Sequence, residues 1–456
     1  MAELRRTLGL WPTAAVVVGT VIGSGIFLVP SDMVNAVGSP GMVFSVWIFG
    51  GILSLFGVLT YAELAAAMPG AGGEYVYLTA AYGPFWGFVY GWTQTWVAKT
   101  ASIATLATGF YTYTADFFPQ LKLIFWNSGL PWGANGMDLG VSYGQLIGIL
   151  VILFLSGVNS WGVRLGGNVQ VVLTGIKIGL ILAVIVFALS SSNGLVTNFG
   201  TETQPTPGGI PGFFAALVAA LWAYDGWNNA AMIGSEVKSP ERNLPRALIF
   251  GTAGVIALYL LTNAAYFYVL NAGEVGVSQR VAADVMRRVL GPRGGEFVSI
   301  AAMISIFAAL NGSILSGSRV PFAMARNGYF FSSLGMLHPK RLTPANSILL
   351  LGVWSCVLLL SGQYRQLYTL VIFPSWILYA MTAASVPVLR WRKPELARPY
   401  KTMGYPIVPL AFVLVSGMLL YSTLQTSPRE SLIGLVLIVI GLPFYFYWRS
   451  SGRGTS

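Results

Sequence analysis

Charge is scarce in this chain. Only 9% of its 456 residues are Asp, Glu, Lys or Arg, against roughly 25% in a soluble domain, which excludes an ordinary water-facing surface. Cysteine and histidine each occur once. Cys356 lies inside an apolar run, so neither a disulfide framework nor a thiol metal site is expected. His338 stands next to Pro339 in a cytoplasmic connection, and Cys356 has no partner, so a membrane-embedded enzyme is a remote reading. No metal and no other cofactor is expected. Arg5 and Arg6 precede the first apolar run without a small-residue cleavage site, so that run reads as a span and not as a signal peptide.

What fills the chain is apolar: 55% of the residues are hydrophobic. Windows of about 20 apolar residues recur roughly twelve times, which leaves no room for a soluble domain. The expected spans are 14–37, 42–67, 84–115, 144–161, 168–190, 211–235, 246–270, 295–324, 346–362, 366–389, 406–425 and 431–448. Segment 68–78, too polar to span and too apolar to float, predicts an interfacial helix along the cytoplasmic surface. Residues 116–143 and 191–210, rich in Gly, Pro, Asn and Ser, predict external loops. The formal charge of +11 does not point to nucleic acid, because its distribution follows the bilayer. With the N-terminus inside, about sixteen Lys and Arg fall in the cytoplasm and about seven outside. The densest inner cluster is Arg390, Arg392, Lys393, Arg398 and Lys401. This predicts a multi-pass protein of the cell (inner) membrane with both termini cytoplasmic. Arg280, Arg287, Arg288 and Arg293 fall outside, offset by Glu274, Asp284 and Glu296, and predict an amphipathic external helix.

The first span is interrupted. In VVGTVIGSGIF (17–27), Gly23 and Gly25 flank Ser24, and each glycine weakens a helix by roughly 1 kcal/mol. An unwound turn at membrane depth is tolerated only where its freed N–H and C=O groups find partners in protein or in a cavity. A half-helix restarting near Ile26 would aim the N–H groups of Ser24, Gly25 and Ile26, with the positive dipole end, into the gap, where a carboxylate fits. The sixth span is interrupted too: LWAYDGWNNA (221–230) puts Asp225, Gly226 and two asparagines at apolar depth. Paired breaks point to inverted repeats with a midplane site. The expected organisation is 1–190 (helices 1–5), an external loop 191–210, 211–390 (helices 6–10), then two additional helices and a C-terminal tail in 391–456.

Each of these residues has a plainer reading. Glycines in membrane helices usually mean close packing, and Asp225 could mark a misplaced boundary. Lys177, at mid-depth of the fifth span, costs about 3 kcal/mol or more unless it finds carbonyls or a carboxylate, or snorkels to an interface. The frayed end of the first half-helix is one candidate partner; Asn311, Ser313 and Ser316 are others. Lys99, midway along the third span, is equally compatible with a structural and a functional role. Glu63 reads as an inter-helix salt bridge, and Glu236, Arg242 and Arg246 as a structural or inner-gate network.

Several stretches together resemble one family. They are 17–27, YAELAAAMPGAGGEYVYL (61–78), AYDGWNN (223–229), SEVKSPERNLPRA (235–247), FAMARNG (322–328), His338-Pro339 and RPYK (398–401). The chain is identified by them as similar to the L-type amino acid transporter (LAT) family of the amino acid/polyamine/organocation (APC) superfamily, and as a prokaryotic member. The resemblance implies an all-α membrane protein with 12 transmembrane helices: a leucine-transporter-like 5+5 inverted repeat plus two C-terminal helices, with helices 1 and 6 discontinuous. It implies sodium-independent exchange of amino acids. Carried over, Val21 offers its carbonyl to the substrate amine and Ser24, Gly25 and Ile26 bind the carboxylate. Trp222 takes the gating-aromatic position, and the carbonyls of Trp222 and Asp225 are further amine contacts. Lys177 places an ammonium where sodium-coupled relatives hold a metal ion, with Ser313 as a candidate partner. Neutral L-amino acids are the expected substrates; proton-coupled uptake of amino acids or amines through Asp225 or Lys177 is the alternative, and an enzyme or sensor the remote one. Animal members bond to a heavy subunit through a cysteine after the third helix. Residues 116–143 contain none, so the expected partners are the amino acid and the lipid bilayer, without nucleic acid and without a disulfide-linked subunit.

Overall fold

The structure, a computed structural model, describes residue 4 and residues 6–131, 138–361 and 364–450. Arg5, the middle of the expected loop 116–143 and the expected tail after residue 450 lie outside the described residues. Helix ends follow local chemistry. α1 (Leu10–Val21) and α2 (Gly25–Val37) are separated by Ile22, Gly23 and Ser24. α2 stops at Gly38, whose φ of 81° is a left-handed conformation that costs glycine nothing. α3 (Pro40–Ala67) begins at once, with the Ser39 side chain accepting the Met42 N–H and Pro40 in the first turn. α4 (Glu74–Tyr82) and α5 (Pro84–Thr93) follow, and a π-helical turn, Gln94–Ala98, carries α5 into α6 (Lys99–Thr114).

An antiparallel hairpin, β1 (Ile124–Pro131) and β2 (Asp138–Ser142), occupies much of the region expected as plain loop. Ser142 and Gln145 then form a capping box that starts α7 (Tyr143–Trp161). α8 (Val163–Leu189) leads to α9 (Gly209–Tyr224), which stops at Asp225 before the single turn α10 (Asn229–Met232). The chain continues through α11 (Pro240–Val269), α12 (Ala272–Val277), α13 (Val281–Leu290), α14 (Pro292–Gly317) and α15 (Arg319–Arg326). It closes with α16 (Ala345–Ser361), α17 (Tyr364–Arg392), α18 (Ile407–Thr426), α19 (Pro428–Ile440) and α20 (Leu442–Ser450).

Among the described residues, nine helical stretches are long and apolar enough to cross a membrane, and α9 and α16 are shorter apolar helices. The outer helices turn large apolar side chains away from the protein, such as Leu150 and Phe154 on α7, Val186 on α8, Leu414 on α18 and Val436 on α19. So much exposed apolar surface marks contact with lipid. The α1–α2 stretch and α14 are instead enclosed over most of their length, with α1 against α11, α8 and α14, and α2 against α9.

Two expectations about the periphery fare differently. α13 is amphipathic as expected: Val281, Ala282, Val285 and Met286 are buried, while Arg287 and Arg288 pair with Asp284 and Glu274. Segment 68–78 is partly exposed over 68–71 and turns into the interior from Gly72 onward. Glu74 and Tyr77 are fully buried, α4 packs on α5 and α17, and the Gly72 N–H donates to the Met232 carbonyl at 2.9 Å. The polarity of its second half is matched by interior hydrogen bonds, such as those from Asn228 and Tyr90 to Glu74.

A cavity between two interrupted helices

The two interruptions face each other. At the first, the Ile22 N–H reaches Val18 O (2.9 Å) and the Gly23 N–H reaches Val21 O (2.8 Å), so α1 ends in a tight turn before α2 restarts. At the second, Asp225 is extended and Gly226 has φ 106°. The contact is backbone to backbone: a Cβ at Gly25 would lie 2.5 Å from Ala223 Cα, and one at Gly226 would lie 3.1 Å from the Thr20 carbonyl carbon. The packing reading of these glycines and the functional one therefore describe the same feature. Two hydroxyls span the junction. Thr20 Oγ1 lies within hydrogen-bond reach of Val16 O (2.6 Å) on its own helix and of Gly226 O (3.0 Å) across the junction, and the Tyr259 hydroxyl lies within reach of both Val21 O (2.9 Å) and Ala223 O (3.0 Å).

Between the breaks is a cavity lined by Val21, Ser24, Gly25, Trp222, Asp225 and Ser313. Ile26 does not line it and is fully buried behind. Sequence reasoning did not foresee Thr20, Ser102, Leu106 and Asn229 in the lining. The first N–H groups of α2 have no partner within their own helix and carry its positive end, while the last carbonyls of α1 carry a negative one. The break thus exposes backbone donors on one side and carbonyls on the other, of which Val21 O already accepts the Gly23 N–H. The walls are close: the space open to the centre of a water is about 10 Å³, on the order of one molecule.

Trp222 forms one wall, held by aromatic and polar contacts. Its ring stacks on Tyr368 with centroids 6.1 Å apart, and its Nε1–H donates to the Tyr364 hydroxyl at 2.9 Å. Tyr364 in turn donates to Ser24 Oγ (2.9 Å), and Tyr368 donates to Asp32 (3.0 Å). A chain of side chains from α9 through α17 to α2 therefore closes over the break. The Trp222 carbonyl, expected as an amine contact, accepts the Asp225 N–H at 3.1 Å. No signal in the sequence separates these tyrosines from membrane-belt aromatics.

Lys177 projects from α8 into the frayed end of α1. Its ammonium donates to Gly19 O (2.8 Å), Ile22 O (2.7 Å) and Ser305 O (3.0 Å), which uses all three of its protons. The acceptor on α14 is thus Ser305 and not Ser313, which lies two turns along and faces the cavity. Asn311 is engaged elsewhere, with Asn159 and Gln170. Toward one end of the molecule, Arg319 pairs with Glu236 at 2.8 Å, both fully buried. Arg242 and Arg246, expected in that network, are exposed, and Arg319 was overlooked because it sits where positive-inside charge is unremarkable. Glu63 forms the expected inter-helix bridge, to Arg390 at 2.6 Å, and accepts the Thr402 N–H at 2.7 Å.

Apolar helices long enough to cross a membrane thus surround a small polar cavity. Residues 8–442 match the amino acid permease family, and the chain belongs to that family, within the APC superfamily. It is 34% identical, over 97% of each chain, to a serine/threonine exchanger of Bacillus subtilis (strain 168). It is 32% identical to the b(0,+)-type amino acid transporter 1 of Homo sapiens, over 97% of this chain and 88% of that one. Against the human cystine/glutamate transporter the figures are 29%, 97% and 85%.

Proposed function

We propose that the protein is a sodium-independent antiporter that exchanges neutral L-amino acids across the cell (inner) membrane by alternating access. The observation that carries this reading is the touching pair of helix breaks, whose backbone offers donors and acceptors to a zwitterion in one cavity. Its relatives are transporters and exchangers by name, one of them for serine and threonine, which favours a carrier over an enzyme or sensor. The Val21 carbonyl would hold the substrate amine together with the Asp225 carbonyl, while the N–H groups of Ser24 and Gly25, which line the cavity, hold the carboxylate and Trp222 gates. Lys177 supports sodium independence, since its ammonium occupies carbonyls that a metal ion would need.

In this reading α1–α2 and α9–α10 are the discontinuous first and sixth of twelve spans, made up of the nine long stretches, α9, α16 and the run 84–114. Residues 1–190 and 211–390 are the inverted repeats, 191–210 joins them outside, and two further helices follow in 391–456. Both termini are cytoplasmic, as the Lys and Arg asymmetry requires. Cys356 sits midway along apolar α16, out of reach of a heavy subunit's external cysteine, so the carrier works without one. Radiolabelled serine uptake into proteoliposomes tests the proposal. Uptake is expected only into vesicles preloaded with amino acid and to be indifferent to sodium. Uptake into empty vesicles under a pH gradient would replace exchange by proton coupling, and strict sodium dependence would overturn the role of Lys177.

A further inference from the structure

We propose that a second cavity binds a phosphate group and, when filled, ties the N-terminal segment to α15. The cavity measures about 350 Å³ and lies at the end of the molecule that holds the Glu236–Arg319 pair. Arg6, shortly before α1, and Arg326, in the last turn of α15, both line it, together with Ser235, Tyr75 and Asn327. Among the described residues neither guanidinium pairs with a carboxylate, and Arg326 rests 5.8 Å from the centre of the Phe322 ring. Ser235 Oγ is buried without a hydrogen-bond partner. The Tyr75 hydroxyl accepts the Asn327 amide at 3.1 Å, which leaves its own proton to donate.

No Asp or Glu is among the lining residues. A zwitterion would therefore leave its ammonium unmatched here, whereas an anion meets donors from several elements. Guanidiniums offer paired N–H groups that suit carboxylate and phosphate alike, and the two hydroxyls add uncharged donors. A phosphate group, with its three acceptor oxygens, can serve all of them; a carboxylate has only two oxygens to share. The cavity thus differs in kind from the one between the helix breaks, which offers both donors and carbonyls.

The elements that carry the two arginines already meet at Glu236. The N–H groups of Thr7 and Leu8 both donate to Glu236 O, at 2.9 and 3.0 Å, and Leu8 O accepts the Lys238 N–H at 2.8 Å. The Glu236 carboxylate is taken by Arg319 on α15. On that helix Arg319, Phe322, Ala323 and Arg326 follow the spacing that places residues on one face, so the face that grips Glu236 at its start presents Arg326 at its end. Arg6 directly precedes the bonded Thr7. A phosphate held by both guanidiniums therefore adds a further tie across the same junction. Exchange by alternating access requires this end of the molecule to open, so a filled cavity slows it; this last step alone rests on the transport reading above.

The test titrates the purified full chain with inorganic phosphate, against chloride at the same ionic strength, and reads the melting temperature. Phosphate should raise it to a plateau. Arg6→Gln and Arg326→Gln should each raise the half-saturating concentration about tenfold, the order expected for losing a charged hydrogen bond, while Arg242→Gln, exposed and outside the cavity, should leave it unchanged. Repeating the measurement in vesicles of phosphatidylcholine, with and without phosphatidylglycerol, identifies the source. A rise with phosphate in the neutral vesicles assigns the site to a free anion, and a rise with phosphatidylglycerol that phosphate does not add to assigns it to a lipid headgroup. No rise from either source, or a rise that both glutamine variants keep at the wild-type concentration, overturns the site. Serine exchange in proteoliposomes should then be slower in phosphate than in chloride for wild type and equal in the two for Arg6→Gln and Arg326→Gln. A melting shift without slowed exchange overturns the tie and leaves the site. Wild type that fails to exchange serine in chloride overturns the transport reading instead, and the melting shift still decides the site.

Discussion

Replacing Gly25 by alanine asks whether the two helix breaks must touch. The added Cβ would lie 2.5 Å from Ala223 Cα, 2.6 Å from its Cβ and 3.2 Å from its N. Carbon atoms rest about 3.5–4.0 Å apart, so α2 and α9 must separate by about 1 Å, and none of these atoms belongs to a side chain that can swing aside. Overpacking of this kind costs about 1–3 kcal/mol, and a misplacement of about 1 Å among positioned groups costs roughly 10²-fold in rate. Gly25→Ala should therefore lower serine exchange about 10²-fold and shrink the melting shift caused by serine, while the unliganded protein stays folded. Gly175→Ala on α8 is the control, since nothing lies within 4 Å of a Cβ there; alanine is favoured in a helix by about 0.5–1 kcal/mol, and exchange should be unchanged. A Gly25→Ala protein that exchanges and binds serine like wild type would refute the idea that the site depends on contact between the two backbones.

Three further outcomes are expected. Lys177→Met strands the carbonyls of Gly19, Ile22 and Ser305; it should destabilise by about 1–3 kcal/mol and slow exchange, and an unchanged melting temperature would contradict the assignment of those bonds. Arg319→Met leaves Glu236 as a buried charge and should cost about 3–5 kcal/mol, much of it recovered by adding Glu236→Gln, a non-additivity that a double-mutant cycle of melting curves measures. Burial opposes ionisation of Glu274, but the Arg288 guanidinium and the Asn271 N–H outweigh it and hold the carboxyl below its usual value of 4.5. A depressed carboxylate contributes stability above its unfolded value and loses it as pH falls through the folded one. Glu274→Gln should therefore flatten the fall in melting temperature below pH 4.5, by a small amount because water screens this half-exposed pair.

The interruptions were legible because they violate a local rule: Gly23, Ser24 and Gly25, or Asp225 with Asn228 and Asn229, do not belong at apolar depth. Lys177 was legible for the same reason, but its partner was not. Distinguishing Ser305 from Ser313 requires knowing how α14 is rotated about its own axis, which apolar content on every side leaves open. Glu74 was misplaced because hydropathy counts a carboxylate as wet wherever it stands; only Asn228 and Tyr90, from elements far along the chain, make an interior position tolerable. Tyr259, Tyr364, Tyr368 and Tyr379 were invisible because a tyrosine in a membrane helix packs, anchors or donates with equal ease, and its hydroxyl's partner is a matter of assembly.

Where each helix lies along the chain, where two of them give way, and which loops gather positive charge all follow from the order of residues. Insertion into a bilayer is priced segment by segment, and each segment carries its own preference. Which groups then meet is another matter. The Lys177 ammonium finds carbonyls 155 and 128 positions away, and the Tyr259 hydroxyl finds one 238 positions away. Such bonds depend on the tilt, rotation and spacing of packed helices, which are set by close contacts such as Gly25 on Ala223 and not by the polarity of either residue alone. For that reason the presence of a cavity could be argued from the chain, while the side chains that wall it came only with the packed structure.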